Sequence, residues 1–176
     1  MDNFTIFNMQ TIAGLLTFYF AFKWFVFPRL AKLSVHDALV PMVLIHGLRY
    51  LGMVFMVDTQ VYDEFPDDLA FTVGIWDYAT AILAVATAFA LRNRWKYAIP
   101  LVWVFNIFGV TDLVVAFPQV FAIEFYNYDL GTMWWAFTTI GVVNLISHVY
   151  IFYRLLRPHP TAPTVAVDYN KLSDTI

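Results

Sequence analysis

The chain has no cysteine in its 176 residues. That absence excludes a disulfide framework, thiolate metal sites and thiol catalysis. Charge is scarce too: Asp, Glu, Lys and Arg make up 13% of the chain, against roughly 25% in ordinary soluble domains. There is no Gly-rich phosphate loop, Gly-x-Ser-x-Gly elbow, His-Glu-x-x-His pair or histidine box. The common phosphoryl-transfer, serine-hydrolase and zinc-peptidase chemistries therefore have no carrier. A basic n-region and a small-residue cleavage site are also missing around the first apolar stretch, which is expected to stay as a helix. Nothing points to nucleic acid, and the features favour a binding or transport protein over an enzyme.

What is present is apolar surface. Hydrophobic residues make up 61% of the sequence, more than a soluble domain of this size can cover, so an all-α integral membrane protein is expected. Apolar segments run roughly over Thr11–Phe27, Ala38–Val57, Leu69–Leu91, Tyr97–Phe117 and Thr132–Leu155. Together they predict a bundle of five transmembrane helices in one domain, residues 1–157. Most reach the ~20 residues that span ~30 Å of hydrocarbon; the first is short unless Met9 and Gln10 extend it. Lipid offers the backbone no partner, so each span must be helical.

Charge alternates between the connections. Arg29 and Lys32, then Arg92, Arg94 and Lys96, then Arg154 and Arg157 follow the first, third and fifth segments. Asp58, Asp63, Glu64, Asp67 and Asp68 follow the second, and Glu124 and Asp129 the fourth. The positive-inside rule then predicts an N-terminus outside and a cytoplasmic C-terminus, in a multi-pass protein of a plasma membrane, read as a bacterial inner membrane. Residues 158–176, with Pro158, Pro160 and Pro163, read as a disordered cytoplasmic tail. The acidic run Asp58–Asp68 lacks the glycine of a regular calcium loop and reads as a solvated face.

Arg49, Asp77 and Asp112 stand inside the predicted spans, where ionisable residues are costly and by default mark a working site. At ~1.5 Å per residue, Arg49 and Asp77 come out about 17 and 19 Å from the basic end of their helices, and Asp112 about 22 Å. Asn106 and Asn144 fall just beneath, at ~14–15 Å. An α-helical second span would place His46, Arg49, Tyr50 and Met53 on one face. In the third span, Gly74, Thr80, Ala81 and Ala84 surround Asp77 with small residues that permit close packing. The fifth presents Trp134, Phe137, Gly141, Asn144 and His148 along one stripe. Arg49 and Asn106 each precede a glycine by three residues, Gly52 and Gly109, too little agreement to establish a repeat.

The predicted ligand-binding set is therefore Arg49, Asp77, Asp112, Asn106, Asn144 and Tyr50, with Arg49 paired to one of the carboxylates. The function expected is binding or transport of a small lipophilic or ionic ligand between helices 2–5, without a cofactor, in a chain that can form homo-oligomers. Two alternatives use other residues. His46 and His148, at similar depth, supply imidazoles for haem b or a quinone head group. A small intramembrane enzyme acting on a lipid-like substrate is the other.

Overall fold

The computed structural model of the protein describes residues 1–57, 60, 65–131 and 133–157. Asp58, Asp63 and Glu64 of the acidic connection, and the tail 158–176, lie outside the described residues. Among the described residues there is no strand. Five helices are long and apolar enough to cross a membrane: α1 (Asn3–Leu30), α2 (Val35–Met56), α3 (Asp67–Arg92), α4 (Ala98–Ala122) and α5 (Met133–Leu156). A single 3₁₀ turn, Phe125–Asn127, lies between α4 and α5.

The first helix starts at Asn3, well before the expected Thr11. Asp2 caps it, its Oδ1 accepting the Thr5 N–H at 2.7 Å. The polar residues that interrupt the apolar run turn back onto the helix: Asn8 Nδ2 donates to the Phe4 carbonyl and Thr11 Oγ1 to the Phe7 carbonyl, each at 2.8 Å. Gln10 instead accepts from Trp134 Nε1 at 2.6 Å, tying α1 to the start of α5. Near its other end α1 widens into a π turn over Phe22–Val26, where Phe27 N–H reaches back to the Phe22 carbonyl. Pro28 has no N–H for the Trp24 carbonyl, so the ladder shifts by one residue there.

The second helix changes type. Ser34 caps an α segment, Val35–Leu44, interrupted by Pro41. It continues as a 3₁₀ helix over Ile45–Met56, 12 residues in a geometry that rarely exceeds 3–4. Such a run rises about 24 Å, where an α-helix would rise about 18 Å. Its side chains recur every third residue, and the buried ones are His46, Arg49, Gly52 and Phe55. This corrects the α-helical face expected from the sequence. Tyr50 is 51% exposed and Met53 36%, so Tyr50 leaves the predicted binding set. Ser147 Oγ donates to the Met42 carbonyl at 2.6 Å. That carbonyl loses its α-helical partner, the His46 N–H, when the chain tightens.

The fifth helix carries a π turn over Phe137–Gly141, which advances the register before Val142–Leu156 resumes α geometry. Asn144 and His148 of the expected stripe are buried; Trp134 turns aside to Gln10. On α3, Gly74, Thr80, Ala81 and Ala84 are all buried, as the small-residue face implied.

Alternation of helix direction gathers charge at two ends. Asp67, Asp68, Glu124 and Asp129 lie at one. At the other, Arg94 pairs with Asp37 at 2.6 Å, and Arg154 donates to the Leu30 and Leu33 carbonyls at 3.2 and 3.3 Å. Apolar clusters fill both halves of the bundle. One centres on Leu39, Val43, Leu91, Phe105 and Ile151 near the basic end, and the other on Phe7, Phe55, Phe125 and Met133 near the acidic end. His46, Arg49, Thr80, Asn106, Asp112, Asn144 and His148 are buried between them.

The cysteine-free chain allows a clean test of the 3₁₀ register with single nitroxide-labelled cysteines. A label at Met53→Cys should be readily relaxed by molecular oxygen in detergent or bilayer, and one at Phe55→Cys shielded. The reverse pattern would restore the α-helical face.

Candidate functional site

Three helices meet at the Arg49 guanidinium of α2. From α3, Asp77 Oδ1 accepts the Arg49 Nε–H at 2.6 Å and lies 2.5 Å from Nη2. From α4, Asp112 Oδ2 accepts from the same Nη2. Nη1 donates to the Gly109 carbonyl at 3.3 Å. Arg49 and Asp112 are buried, and the Asp77 side chain is 21% exposed. The sequence suggested a pair with one carboxylate; the structure brings both onto a single cation. Removing such charges from water is repaid only when the remaining donors and acceptors are satisfied, as the fork of a guanidinium permits.

Two glycines make these contacts possible. A Cβ on Gly52 would collide with the Asp77 carboxylate. A Cβ on Gly109 would stand 2.7 Å from His148 Cε1 and 2.9 Å from Nε2. The shared spacing Arg49–Gly52 and Asn106–Gly109 thus marks two places where a polar side chain from a neighbouring helix enters the missing Cβ.

Arg49, Asp77 and Asp112 line a cavity of about 90 Å³ between α2, α3, α4 and α5. At ~10–15 Å³ per water, that admits several waters or a small polar group. Asn144 is on its wall, with Oδ1 buried and without a partner among the described residues. The rest of the lining is apolar, including Phe55, Phe117 and Phe137. Asp112 also borders a second cavity of about 110 Å³ between α3 and α4, beside Trp76, Thr111 and Gln119.

Asn106 departs from its predicted place. It does not line the Arg49 cavity; it holds His148, its Nδ2 donating to the His148 carbonyl at 3.4 Å. Its oxygen therefore faces the imidazole, and His148 Nδ1–H donates to it at 2.7 Å. That tautomer leaves the Nε2 lone pair beside Gly109. His46 lies directly against His148, ring centroids 4.1 Å apart, with Phe105 edge-on at 5.1 Å. Both His46 nitrogens and His148 Nε2 are buried without partners among the described residues.

The ring contact bears on the haem alternative. Two axial imidazole–metal bonds of about 2 Å each, on opposite sides of an iron, would hold the ring centroids well beyond contact distance. At 4.1 Å the two rings are in contact, tilted 47° to each other, and have no room for a porphyrin between them. This pair does not fit a bis-histidine haem.

Sequence reasoning missed Gly52 as a site residue and, of the aromatic wall, Phe55 and Phe117; Phe137 stood on the expected stripe of the fifth span. The signal for Phe55 was present, since His46, Arg49, Gly52 and Phe55 keep a strict interval of three. Phe117 carries no such mark among 18 phenylalanines.

Removing one partner of a buried ion pair typically costs ~3–5 kcal/mol, against ~0–1 for a surface pair. Arg49→Ala should therefore lower unfolding stability in detergent by about 3–5 kcal/mol. Adding Asp112→Asn should recover part of that loss, because the two residues share one network. A loss within ~1 kcal/mol for Arg49→Ala would place the triad among surface-like pairs.

No curated protein and no solved structure matches the chain. Residues 6–156, which include α2, α3, α4 and α5 in full and every residue of the Arg49 site, match the model of a family described as a domain of unknown function, DUF8737, and the protein belongs to that family.

Proposed function

We propose that this is a multi-pass protein of a bacterial plasma membrane, with its basic end in the cytoplasm, that binds or transports a small cationic molecule or ion at the Arg49 site. The observation that carries this reading is the charge balance: one guanidinium against two carboxylates at a cavity deep in an apolar bundle. A single cation brings the site to neutrality, and neutralising a charge is worth most where water is excluded.

The surroundings favour the same ligand class. Asn144 Oδ1 offers an unused acceptor at the wall, suited to an N–H donor or a bare cation. Phe55, Phe117 and Phe137 offer ring faces and apolar contact, which suit a lipophilic ammonium. Asp67, Asp68, Glu124 and Asp129 at the acidic end would raise the local concentration of cations. A second cavity reaching Asp112 between α3 and α4 supplies a lateral approach for a lipophilic ligand.

Thermal-shift measurements on purified protein with panels of organic cations, anions and neutral lipophiles test the ligand class. Cations should raise the unfolding temperature of the wild type, by about 2.7 kcal/mol of stability at a hundredfold excess over Kd. They should not stabilise Asp112→Asn. Stabilisation by anions alone, or equal stabilisation of both proteins, would sink the reading.

Orientation is tested separately in intact cells. A cysteine replacing Glu124 should react with an impermeant maleimide added outside, and one replacing Lys96 only after permeabilisation. The opposite pattern would invert the protein in its membrane.

A further inference from the structure

A groove of about 1150 Å³ runs between α1 and α5 at the basic end, away from the Arg49 site. Its wall is apolar: Leu15, Tyr19, Leu145 and Val149 are 39, 42, 49 and 62% exposed. Lys32, Arg154 and Arg157 stand at its mouth. Among the described residues, none of the three meets a carboxylate within 4.0 Å. By contrast, Arg94 at the same end is matched by Asp37.

Two of these cations are held in place. Arg154 is fixed by the Leu30 and Leu33 carbonyls, which close the end of α1. Arg157 lies over the Tyr153 ring, 4.3 Å from its centroid. Three cations without a counter-charge among the described residues, two of them fixed, beside an apolar channel along two helices match an amphiphile with an anionic head.

We infer that this groove binds an anionic phospholipid of the cytoplasmic leaflet, its phosphate at Lys32, Arg154 and Arg157 and an acyl chain along α1 and α5. Basic pockets between membrane helices on the cytoplasmic side recognise such head groups, and apolar walls add the chain's burial. A second copy of the protein fits less well. Among the described residues, its carboxylates either lie at the opposite end of the bundle, are held by Arg49 (Asp77 and Asp112), or, at Asp37, are already paired with Arg94, so a copy inserted the same way brings none of these free to the groove. The inference rests on the membrane insertion and orientation proposed above.

Native mass spectrometry of the full chain in nonionic detergent tests it, with phosphatidylglycerol, phosphatidylcholine and glycerol 3-phosphate as probes. Phosphatidylglycerol should bind roughly tenfold tighter than phosphatidylcholine. The Lys32→Gln/Arg157→Gln variant, which keeps the Arg154 contacts to α1, should lose most of that preference while unfolding at the wild-type temperature. Equal binding of the two lipids, or an unchanged preference in the variant, overturns the inference. So does glycerol 3-phosphate binding as tightly as the lipid, which would mark a plain anion site. Carbonate extraction separates the two readings. Release of the protein from membranes defeats insertion itself, whereas a retained protein without lipid preference defeats only this inference.

Discussion

The Arg49 guanidinium shared by Asp77 and Asp112 is the contact on which the rest of the bundle depends. An isolated charge among Phe105, Phe55 and their neighbours would cost several kcal/mol, so three helices must hold their relative depth within hydrogen-bonding tolerance. Apolar packing alone is permissive about sliding along a helix axis, because one leucine-sized knob resembles the next. The apolar clusters toward either end supply most of the contact area, and the polar layer between them sets the register at which that area is used.

The 3₁₀ form of α2 follows from the same constraint. A period of three aligns His46, Arg49, Gly52 and Phe55 along one narrow edge, and α3 lies close beside it. In α geometry those positions would drift around the helix by roughly half a turn over the run, and Gly52 would leave Asp77. The looser hydrogen bonds of a 3₁₀ helix are a cost, offset here by the ion pairs and by a backbone approach that only glycine permits. Deviations in α1 and α5 have comparable local causes. Pro28 opens a π turn in α1, and the π turn of α5 rotates Asn144 and His148 inward together.

Polar atoms left open in this layer are few and clustered. Asn144, with its Oδ1 unpartnered among the described residues, lines the Arg49 cavity, while the imidazoles of His46 and His148 lie against each other behind Gly109. Buried polar groups without partners are rare in folded proteins and concentrate where something else binds or moves. Their position one helical layer from the carboxylates makes the histidine pair a neighbour of the site rather than a separate centre.

By itself, the sequence determined the helical class, the number of apolar spans, the segregation of charge to the two ends and the depth of the charged residues. Each of these depends on composition and on position along one helix, which a linear reading can measure. The start of α1 at Asn3 escaped it because Asn8 and Gln10 read as polar breaks until their partners are known. Tyr50 was assigned inward because intervals of three and four are equally consistent with an α-helix over a short window; only contact with α3 selected the interval of three. That Arg49 meets both carboxylates, that Asn106 serves His148, and that Gly52 and Gly109 admit side chains from other helices were decided by the tertiary structure. These are relations between helices, and the rotation of one helix against its neighbour is set by packing and charge pairing that no single segment carries.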